Sequence, residues 1–517
     1  MKPMSQALLQ MLNIQEAMRD EANTDRNLVP NEPGWDRLVA GASQIEQQLL
    51  GQLRDGFHPT PQVEALARKP VHGVRPVAYW GPRERVLYRA LAEVTLLQIA
   101  KPDRSADAYS TFLKAPVTRG YELQRQSESS EKNIVGSFSA LESPLKYIVL
   151  SDVASFYQFV DHGILREELI FNGANYDAID ALIELISEIQ GQSFGLPQLL
   201  DASDWLSEVY IRRVERDLLQ RGLEAWRFND DFRIATKTYN GSLRAIEILD
   251  SSCRSNGLII SEYKTFTYGM STYILETLAL RQSDSLEQFD PSDVETTVGS
   301  YADDFDSDVD SAFKLLQSAS PGLGAGQDGL DLKDVRKDQI RRLSRAIGSL
   351  ASKEDPRAIS QLNKLITYAP SLTPIICRYT QSLPSQHSSE LIEFFDLVLA
   401  ETPLNDWQRI WIINTLSALG LLAGTDKNQR RDWTLLQLRE TSDSLVRAHA
   451  VSALSHANAI PVIEVLGLLE IAPAALLALY ADALSASAHS EEGKKAVAAW
   501  GGQSKLQQVL VNPIPGK

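Results

Sequence analysis

The chain changes in texture near residue 300, and this change constrains the fold more than any other feature. Before it, strand-like apolar runs at Val74–Tyr79, Tyr147–Leu150 and Phe232–Thr236 are separated by long segments with helical spacing. After it, nearly every segment has helical spacing. We therefore predict an α+β fold for the first 300 residues and an all-α fold for the rest.

The stretch 301–330 is rich in Asp, Ser and Gly and is predicted to be a linker. The predicted domains are thus 1–300, with a helical N-terminal segment, and 331–517. In the second, Ser417-Ala418-Leu419 returns as Ser452-Ala453-Leu454 and then as Asp482-Ala483-Leu484. Returns of this kind favour stacked HEAT-like helix pairs. Their uneven spacing leaves a non-repetitive helical bundle open.

Composition excludes several classes of protein. The 517 residues are 44% apolar and 23% charged, which excludes a disordered or collagen-like chain. Two cysteines exclude a disulfide framework and suit a reducing compartment. No long apolar segment opens the chain, and acidic residues interrupt the most apolar stretch, so we expect a cytoplasmic protein with no membrane span.

Charge is distributed unevenly along the chain. The net charge of −16 argues against non-specific coating of duplex nucleic acid, which depends on basic contacts to phosphate. Between Pro61 and Arg125, however, eleven basic residues stand beside six acidic ones, a local balance of 11 − 6 = +5. This stretch is either a solvated helical face or a phosphate-handling surface.

Three acidic residues carry the candidate chemistry. Asp152 ends a buried apolar run, and Asp230 and Asp231 stand between aromatic residues in a pattern that fits a tight hairpin turn. Carboxylates are the ligands that Mg²⁺ takes alongside substrate phosphates. A pair of such ions can assist phosphoryl transfer by acting on both the attacking and the leaving oxygen.

The order of the surrounding segments resembles a reverse transcriptase over roughly residues 70–270. The matching segments are Arg75 of the fingers, Asp152-x-x-x-Phe156-Tyr157-x-x-x-Asp161-His162 (motif A), Gly195-Leu196-Pro197-Gln198 (motif B), Phe228-Asn229-Asp230-Asp231 (motif C) and Lys264-Thr265 (motif D). The resemblance implies a fingers and palm fold before the HEAT-like domain.

The resemblance also implies a role for each matching residue. Asp152, Asp230 and Asp231 would be catalytic ligands of Mg²⁺, or of Mn²⁺ in its place. Four residues would contact the incoming dNTP: Arg75 at the triphosphate, Tyr157 as the gate against a ribose 2′-hydroxyl, Gln198 at the nucleotide, and Lys264 as general acid or charge partner of pyrophosphate. An ordinary surface lysine stays open for Lys264.

The chain departs from the family pattern at three positions. Leu199 stands where templated enzymes carry glycine, Phe228 replaces tyrosine in motif C, and Ser261 stands where motif D often has asparagine. Two further matches are decoys. Tyr301-Ala302-Asp303-Asp304 spells motif C but follows motif D, and Gly324-Ala325-Gly326-Gln327-Asp328-Gly329 fits a dinucleotide fingerprint without a preceding strand.

A helical C-terminal domain, an acidic chain and Leu199 together resemble the bacterial abortive-infection polymerases (AbiK, AbiA and prophage-encoded relatives). That resemblance implies antiphage defence by a homo-oligomer that makes DNA without a template. It further implies protein priming, with single-stranded DNA left covalently attached. A phage or host protein partner fits the helical repeats. Two alternatives stay open, a templated RNA-directed DNA polymerase with a bound RNA, and a non-catalytic helical scaffold.

Overall fold

The computed structural model describes residues 1–24, 26–70, 73–128, 143–279, 309–320, 330–333, 337–424 and 427–512. Both decoy motifs lie outside these ranges. Contacts divide the chain into two compact units. We call Met1–Ala90 with Asp293–Lys517 the helical unit, and Leu91–Ser292 the sheet unit.

The strands are short. They are β1 (Val63–Arg68), β2 (Val74–Tyr79), β3 (Tyr147–Asp152), β4 (Glu224–Phe228), β5 (Asp231–Thr236), β6 (Phe266–Gly269), β7 (Ala319–Ser320) and β8 (Leu330–Asp331). β3 to β6 form one antiparallel sheet in the order β4-β5-β3-β6, while β1 pairs with β2 and β7 with β8. The predicted strands at Val74, Tyr147 and Phe232 are confirmed as β2, β3 and β5.

The first helices belong to the N-terminal part of the chain and to the sheet unit. They are α1 (Gln6–Met11), α2 (Ile14–Asn23), α3 (Trp35–Ala40), α4 (Ala42–Asp55), α5 (Pro82–Thr95), α6 (Ala106–Glu128), α7 (His162–Phe171), α8 (Tyr176–Gln190), α9 (Asp201–Gln220), α10 (Tyr239–Ser255) and α11 (Met270–Tyr273). Their ends follow local chemistry. Asn175 caps α8 by accepting the backbone N–H of Ala178, and Gly191 ends that helix in the left-handed conformation.

Helices α9 and α10 pack against the sheet. α9 contacts β4, and α10 contacts both β3 and β5. Both faces of β3 are covered at its centre, because the neighbouring residues Ile148 and Val149 are both fully buried. The core of this region also contains Leu145, Ala235 and Tyr273. Contacts with α9 and α10 and this packed core therefore hold the sheet in place.

The helical unit continues with α12 (Val309–Ser318), α13 (Lys337–Ser352), α14 (Ile359–Tyr368), α15 (Thr373–Ser382), α16 (Ser388–Glu401), α17 (Asp406–Ala418), α18 (Gln429–Glu440), α19 (Ser444–His456), α20 (Val462–Glu470), α21 (Leu477–Ala486), α22 (Glu491–Gly501) and α23 (Lys505–Val511). From α13 to α23 the odd-numbered helices contact one another in sequence. The even-numbered helices contact along a second row, α14 with α16, α16 with α18, and α20 with α22. Two rows of alternating helices are the arrangement that stacked helix pairs produce.

The sequence repeat has a structural counterpart between two neighbouring helices of the odd row. Ser452 of α19 and Asp482 of α21 occupy equivalent repeat positions, and the Ser452 hydroxyl donates a 2.8 Å hydrogen bond to the Asp482 carboxylate. His456 lies 2.8 Å from the same carboxylate oxygen. The repeated position therefore lies where adjacent repeats meet.

The N-terminal segment packs within the helical unit. β1 contacts α17 and α19, and α3 and α4 contact α23. The indole N–H groups of Trp407 and Trp411 both donate to the carbonyl of Leu28, at 2.5 and 3.3 Å. The compact units thus group residues 1–90 with the helical C-terminal part, whereas the sequence grouped them with 91–300.

Part of the predicted linker is helical. α12 forms inside the stretch 301–330 because Ala312 and Leu316, four residues apart, bury one apolar face. None of the described helices combines enough length with enough apolar character to cross a bilayer.

Candidate active site

The register of the sheet brings two of the predicted acidic residues together. In the antiparallel pairing of β3 with β5, Asp152 lies directly opposite Asp231. Residues opposed in this way have Cα atoms about 4.5–5.5 Å apart. Asn229 and Asp230 form the two-residue turn between β4 and β5, and the carbonyl of Asp230 accepts the backbone N–H of Val153 at 3.2 Å. The predicted hairpin occurs, and the backbone positions of Asp152 and Asp231 lie at the same end of the two central strands.

Arg227 stabilises the turn that contains Asp230. Asn229 adopts a left-handed conformation, φ 53°, which a tight hairpin requires and which asparagine tolerates. The Arg227 guanidinium donates to the Asn229 carbonyl at 2.9 Å and makes a bidentate pair with Glu208 of α9. Burial alone would raise the pKa of Glu208, but the hydrogen bonds from Arg227 bring it below its usual value. Arg227 and Glu208 were not singled out from the sequence.

Lys264 forms an ion pair with Asp152. Its ammonium nitrogen is 2.9 Å from the Asp152 carboxylate, which is almost fully buried. The backbone explains the approach, because the N–H of Ser261 donates to the Asp152 carbonyl at 2.7 Å, and Ala154 donates to Ile259 at 2.8 Å. Sequence analysis left Lys264 open between a site residue and a surface lysine, and the structure puts its charge against Asp152.

The carboxylates of Asp152, Asp230 and Asp231 fit a divalent cation by their chemistry, since carboxylate oxygens are hard ligands. Within the described ranges, no three acidic, histidine or cysteine side chains come together as a preassembled metal cluster. The Asp152 carboxylate faces Lys264, and Asp231 is 3.9 Å from Arg233. Metal ligation by Asp152, Asp230 and Asp231 stays a prediction.

The motif B loop is tied directly to the motif A segment. Gly195 has φ +94° and donates its N–H to the Val160 carbonyl at 2.7 Å, and Leu196 donates to the Tyr157 carbonyl at 2.7 Å. The side chain of His162 also joins the two segments, because its Nε2 is 2.7 Å from the Gly195 carbonyl. Burial lowers the pKa of His162, which keeps the imidazole neutral and structural.

Gln198 follows in this loop and is half-buried, and Leu199 beside it has φ +66°. A left-handed conformation is one that glycine adopts freely and leucine does not. The position where the sequence lacks the expected glycine thus keeps the backbone geometry that glycine favours. The motif B loop therefore stays hydrogen-bonded to the motif A segment although leucine stands at position 199 in place of glycine.

Tyr157 lies in the short helical turn Phe156–Phe159, and its hydroxyl donates a 2.5 Å hydrogen bond to Asp204 of α9. Arg104 completes the cluster, 3.0 Å from the Asp204 carboxylate and 3.3 Å from the Tyr157 hydroxyl. Burial and the Asp204 charge raise the pKa of Tyr157 well above its usual value, so the hydroxyl keeps its proton. Asp204 and Arg104 were also missed from the sequence.

Arg75 belongs to the helical unit, where it is a buried residue of β2 opposite Ala67 of β1. The six other predicted site residues all belong to the sheet unit. Within the sheet unit, Asp152 lies beside both Asp231 and Lys264, and Asp230 belongs to the adjoining turn.

The basic stretch is largely consumed by internal interactions. Arg85 pairs with Glu21 and Glu32, and Arg119 pairs with Glu224. The ammonium of Lys101 lies over the ring of Trp205 at 3.7 Å. Much of the local positive charge therefore stabilises the fold, and only a few of its cations are left to face solvent.

Backbone strain marks the same region. Among the described residues, the non-glycine residues with left-handed backbone are Ser155, Leu199, Asn229, Glu354 and Asn458. Ser155 and Asn229 lie in the segments that match motifs A and C, and Leu199 directly follows the segment that matches motif B. Strained positions of this kind cluster at functional sites because surrounding structure must hold them in place.

No protein-family model and no curated protein matches the chain. Among solved structures it matches telomerase from Candida albicans with a fragment of telomeric RNA, at 12% identity and TM-score 0.30. That match covers 66% of this chain, which spans 62% of the length of that one. Apo telomerase from Candida tropicalis matches at 9% identity and TM-score 0.28, covering 91% and 73% of the two chains. These likenesses are too weak to carry an argument, and the interpretation of the site rests on its own geometry.

Proposed function

We propose that the chain is a nucleotidyltransferase of the reverse-transcriptase type, which joins dNTPs into DNA. The observation that carries the proposal is the register of β3 and β5, which opposes Asp152 and Asp231 beside the Asp230 turn. The motif order along the sequence supports the same interpretation.

In this proposal the chain's own residues divide the work. A hydroxyl oxygen attacks the α-phosphorus of the dNTP, the new P–O bond forms, and pyrophosphate leaves. Divalent cations held by Asp152, Asp230 and Asp231 would supply charge neutralisation and activation of the hydroxyl. The Lys264 ammonium would balance charge on the leaving pyrophosphate or give it a proton.

The neighbouring side chains would orient the nucleotide. The Tyr157 ring would lie against the sugar, where a 2′-hydroxyl would collide with it. Gln198 would contact the nucleotide from the motif B loop, which hydrogen bonds fix to the Tyr157 segment. The role of Arg75 at the triphosphate rests on the resemblance alone.

The finer proposal rests on the resemblance to abortive-infection polymerases. Synthesis would proceed without a template from a hydroxyl of the protein, leaving single-stranded DNA covalently attached. The enzyme would act as a homo-oligomer in the cytoplasm during antiphage defence. Leu199 supports untemplated synthesis, since its side chain takes the place of the glycine that templated relatives carry.

The test is to incubate purified protein with dNTPs and Mg²⁺, without template, and to follow labelled DNA that migrates with the protein. Asp230→Asn should abolish the signal, whereas Asp250→Asn, which removes a surface carboxylate paired with Arg254, should retain it. Mass measurement before and after nuclease treatment would reveal an attached polymer.

Other outcomes would replace the proposal. A product whose sequence follows a co-purifying RNA would make the chain a templated polymerase. Phage resistance that survives loss of all three carboxylates would leave a non-catalytic scaffold. An Asp230→Asn variant with full synthesis would overturn the site assignment.

A further inference from the structure

A cleft in the helical unit lies between the end of the β1–β2 hairpin and the repeat helices. Its volume is about 430 Å³, within the range of ligand sites in proteins. The hairpin contributes Arg68 and Lys69, and Lys333 lines the cleft from the segment after β8. Three cations from two distant parts of the sequence therefore meet at one cleft.

The hairpin geometry holds two of these cations in place. Arg68 pairs with Val74 across the two strands, and the backbone N–H of Lys69 donates to the Gly73 carbonyl at 3.3 Å. Arg68 is exposed at the hairpin end, and Lys69 beside it is half-buried.

The charge of the cleft is not balanced from within. No acidic side chain is among its lining residues in the described part of the chain. Within that same part, the side chains of Arg68, Lys69 and Lys333 form no hydrogen bond or ion pair, although the carboxylate of Asp331 beside the cleft accepts the backbone N–H of Lys333 at 2.9 Å. This contrasts with Arg85 and Arg119, whose charges are matched by glutamates. The three lining cations and the neighbouring Asp331 leave a local charge of about +2 in a chain of net charge −16, which points to an anionic ligand.

The rest of the lining is polar or aromatic. Thr367, Thr402 and Asn405 present neutral polar groups, and Tyr368 is 40% exposed. An exposed aromatic ring beside unpaired cations is the combination that binds a single strand, since bases stack on the ring while cations follow the phosphates. A compact cleft suits a single strand better than a duplex, whose binding needs a broad basic surface.

We propose that this cleft binds single-stranded nucleic acid, with Arg68, Lys69 and Lys333 on backbone phosphates and Tyr368 stacked on a base. The residues of this cleft belong to the helical unit, whereas Asp152, Asp230 and Asp231 belong to the sheet unit. Binding does not depend on nucleotidyl transfer, so the inference stands or falls independently of the proposed function.

The experiment measures binding of a fluorescent oligo(dT) to the Asp230→Asn protein by anisotropy, at several salt concentrations. A triple variant, Arg68→Glu, Lys69→Glu and Lys333→Glu, should bind at least about tenfold more weakly. The slope of log K against log salt should fall by about 2, since each lost phosphate contact removes about 0.7 for a single strand. A milder triple glutamine variant, whose circular dichroism matches the parent, guards against misfolding.

A second triple variant controls for the overall change of charge. Lys494→Glu, Lys495→Glu and Lys505→Glu alter exposed lysines elsewhere in the helical unit by the same amount and should leave affinity within about twofold. Tyr368→Ala should weaken binding several-fold with no change in slope, because it removes stacking and no charge.

Three results would overturn the inference. One is parental affinity in both cleft triple variants, and another is equal loss in the control variant. The third is competition by inorganic polyphosphate or poly-glutamate as effective as that by oligo(dT), together with an unaffected Tyr368→Ala. That result would make the cleft a general anion site and not a nucleic-acid site.

Discussion

Replacing Asp204 with asparagine should lower the preference for dNTPs over rNTPs while leaving DNA synthesis in place. In the proposed enzyme, Tyr157 excludes a 2′-hydroxyl only if its ring stays in position. The structure fixes that ring through its hydroxyl, which donates to Asp204 at 2.5 Å with Arg104 on both partners. Asp204→Asn keeps the shape of the side chain and removes its charge.

The size of the effect follows from the hydrogen bond. A bond to a charged acceptor contributes about 1.5–3 kcal/mol, and a neutral one about 0.5–1.5 kcal/mol. The substitution should therefore weaken the hold on Tyr157 by about 1–1.5 kcal/mol, which corresponds to about a tenfold loss of selectivity. The rate with dNTPs should change by less than about threefold, because Asp204 does not touch the proposed reacting groups.

The assay compares single-nucleotide addition from a dNTP and from the matching rNTP, as a ratio of kcat/KM values. Asp217→Asn is the matched control, since it lies on the same helix and removes only a surface pair with Arg221. A double-mutant cycle with Tyr157→Phe shows whether the two residues act together. The effects should not add, because either change removes the same bond.

An unchanged selectivity ratio in Asp204→Asn would refute this reasoning. So would fully additive effects in the cycle, which would mean that Asp204 acts on selectivity by another route. Loss of synthesis with both nucleotides, at parental stability, would place Asp204 in the catalytic machinery instead.

Two further predictions concern stability. Burial lowers the pKa of His449 to about 4, below the 6.5 of an unfolded histidine. The unfolded chain therefore binds the proton first, and stability present above pH 6.5 should be lost as the pH falls toward 4. Urea unfolding at pH 7 and pH 5 should show a drop that is about 2 kcal/mol smaller in His449→Phe, and equal drops would contradict it. At Leu199, with φ +66°, glycine should hold stability within about 1 kcal/mol, whereas valine should cost at least about 1 kcal/mol more because β-branched residues fit left-handed backbone poorly. Thermal unfolding of both variants checks this, and a valine variant as stable as the glycine one would speak against a strained loop.

Local patterns predicted much of the sheet unit. The apolar run that ends at Asp152 is β3, and the aromatic-flanked pair Asp230–Asp231 marks the end of a hairpin turn. Both depend on residues close in sequence, and strand propensity with turn chemistry is informative at that range. The approach of Asp152 and Asp231 followed from a family pattern, which carries the long-range pairing that the local signal lacks.

Beyond β2, β3 and β5, five of the described strands were not given bounds from the sequence, and for three of them the reason can be identified. Val63–Arg68 contains Ala65 and Ala67, small residues with high helix propensity, and pairing with β2 overrides that preference. Glu224–Phe228 is short and mixes charges with aromatic residues. Phe266–Gly269 pairs on one side only, as an edge strand, so its burial pattern is weak.

The supporting residues of the site lay beyond sequence reasoning. Arg104 and Asp204 are one hundred positions apart, and only the fold brings them to the Tyr157 hydroxyl. Arg227 and Glu208 meet because β4 contacts α9. Charged residues on a helix or strand carry no local sign of the partner they will find.

Strain and its compensation join these observations. Asn229 in its left-handed turn is held by the donor from Arg227, and the loop containing Leu199 is anchored upstream where Leu196 donates to Tyr157. Each left-handed non-glycine residue costs about 1–3 kcal/mol and persists only where neighbours fix it. Glycine would adopt the same backbone at these positions without that strain. Ser155, Leu199 and Asn229 lie in or beside the segments that contain Asp152, Gln198 and Asp230, which is the placement expected if these segments are held in shape for a site and not for stability alone.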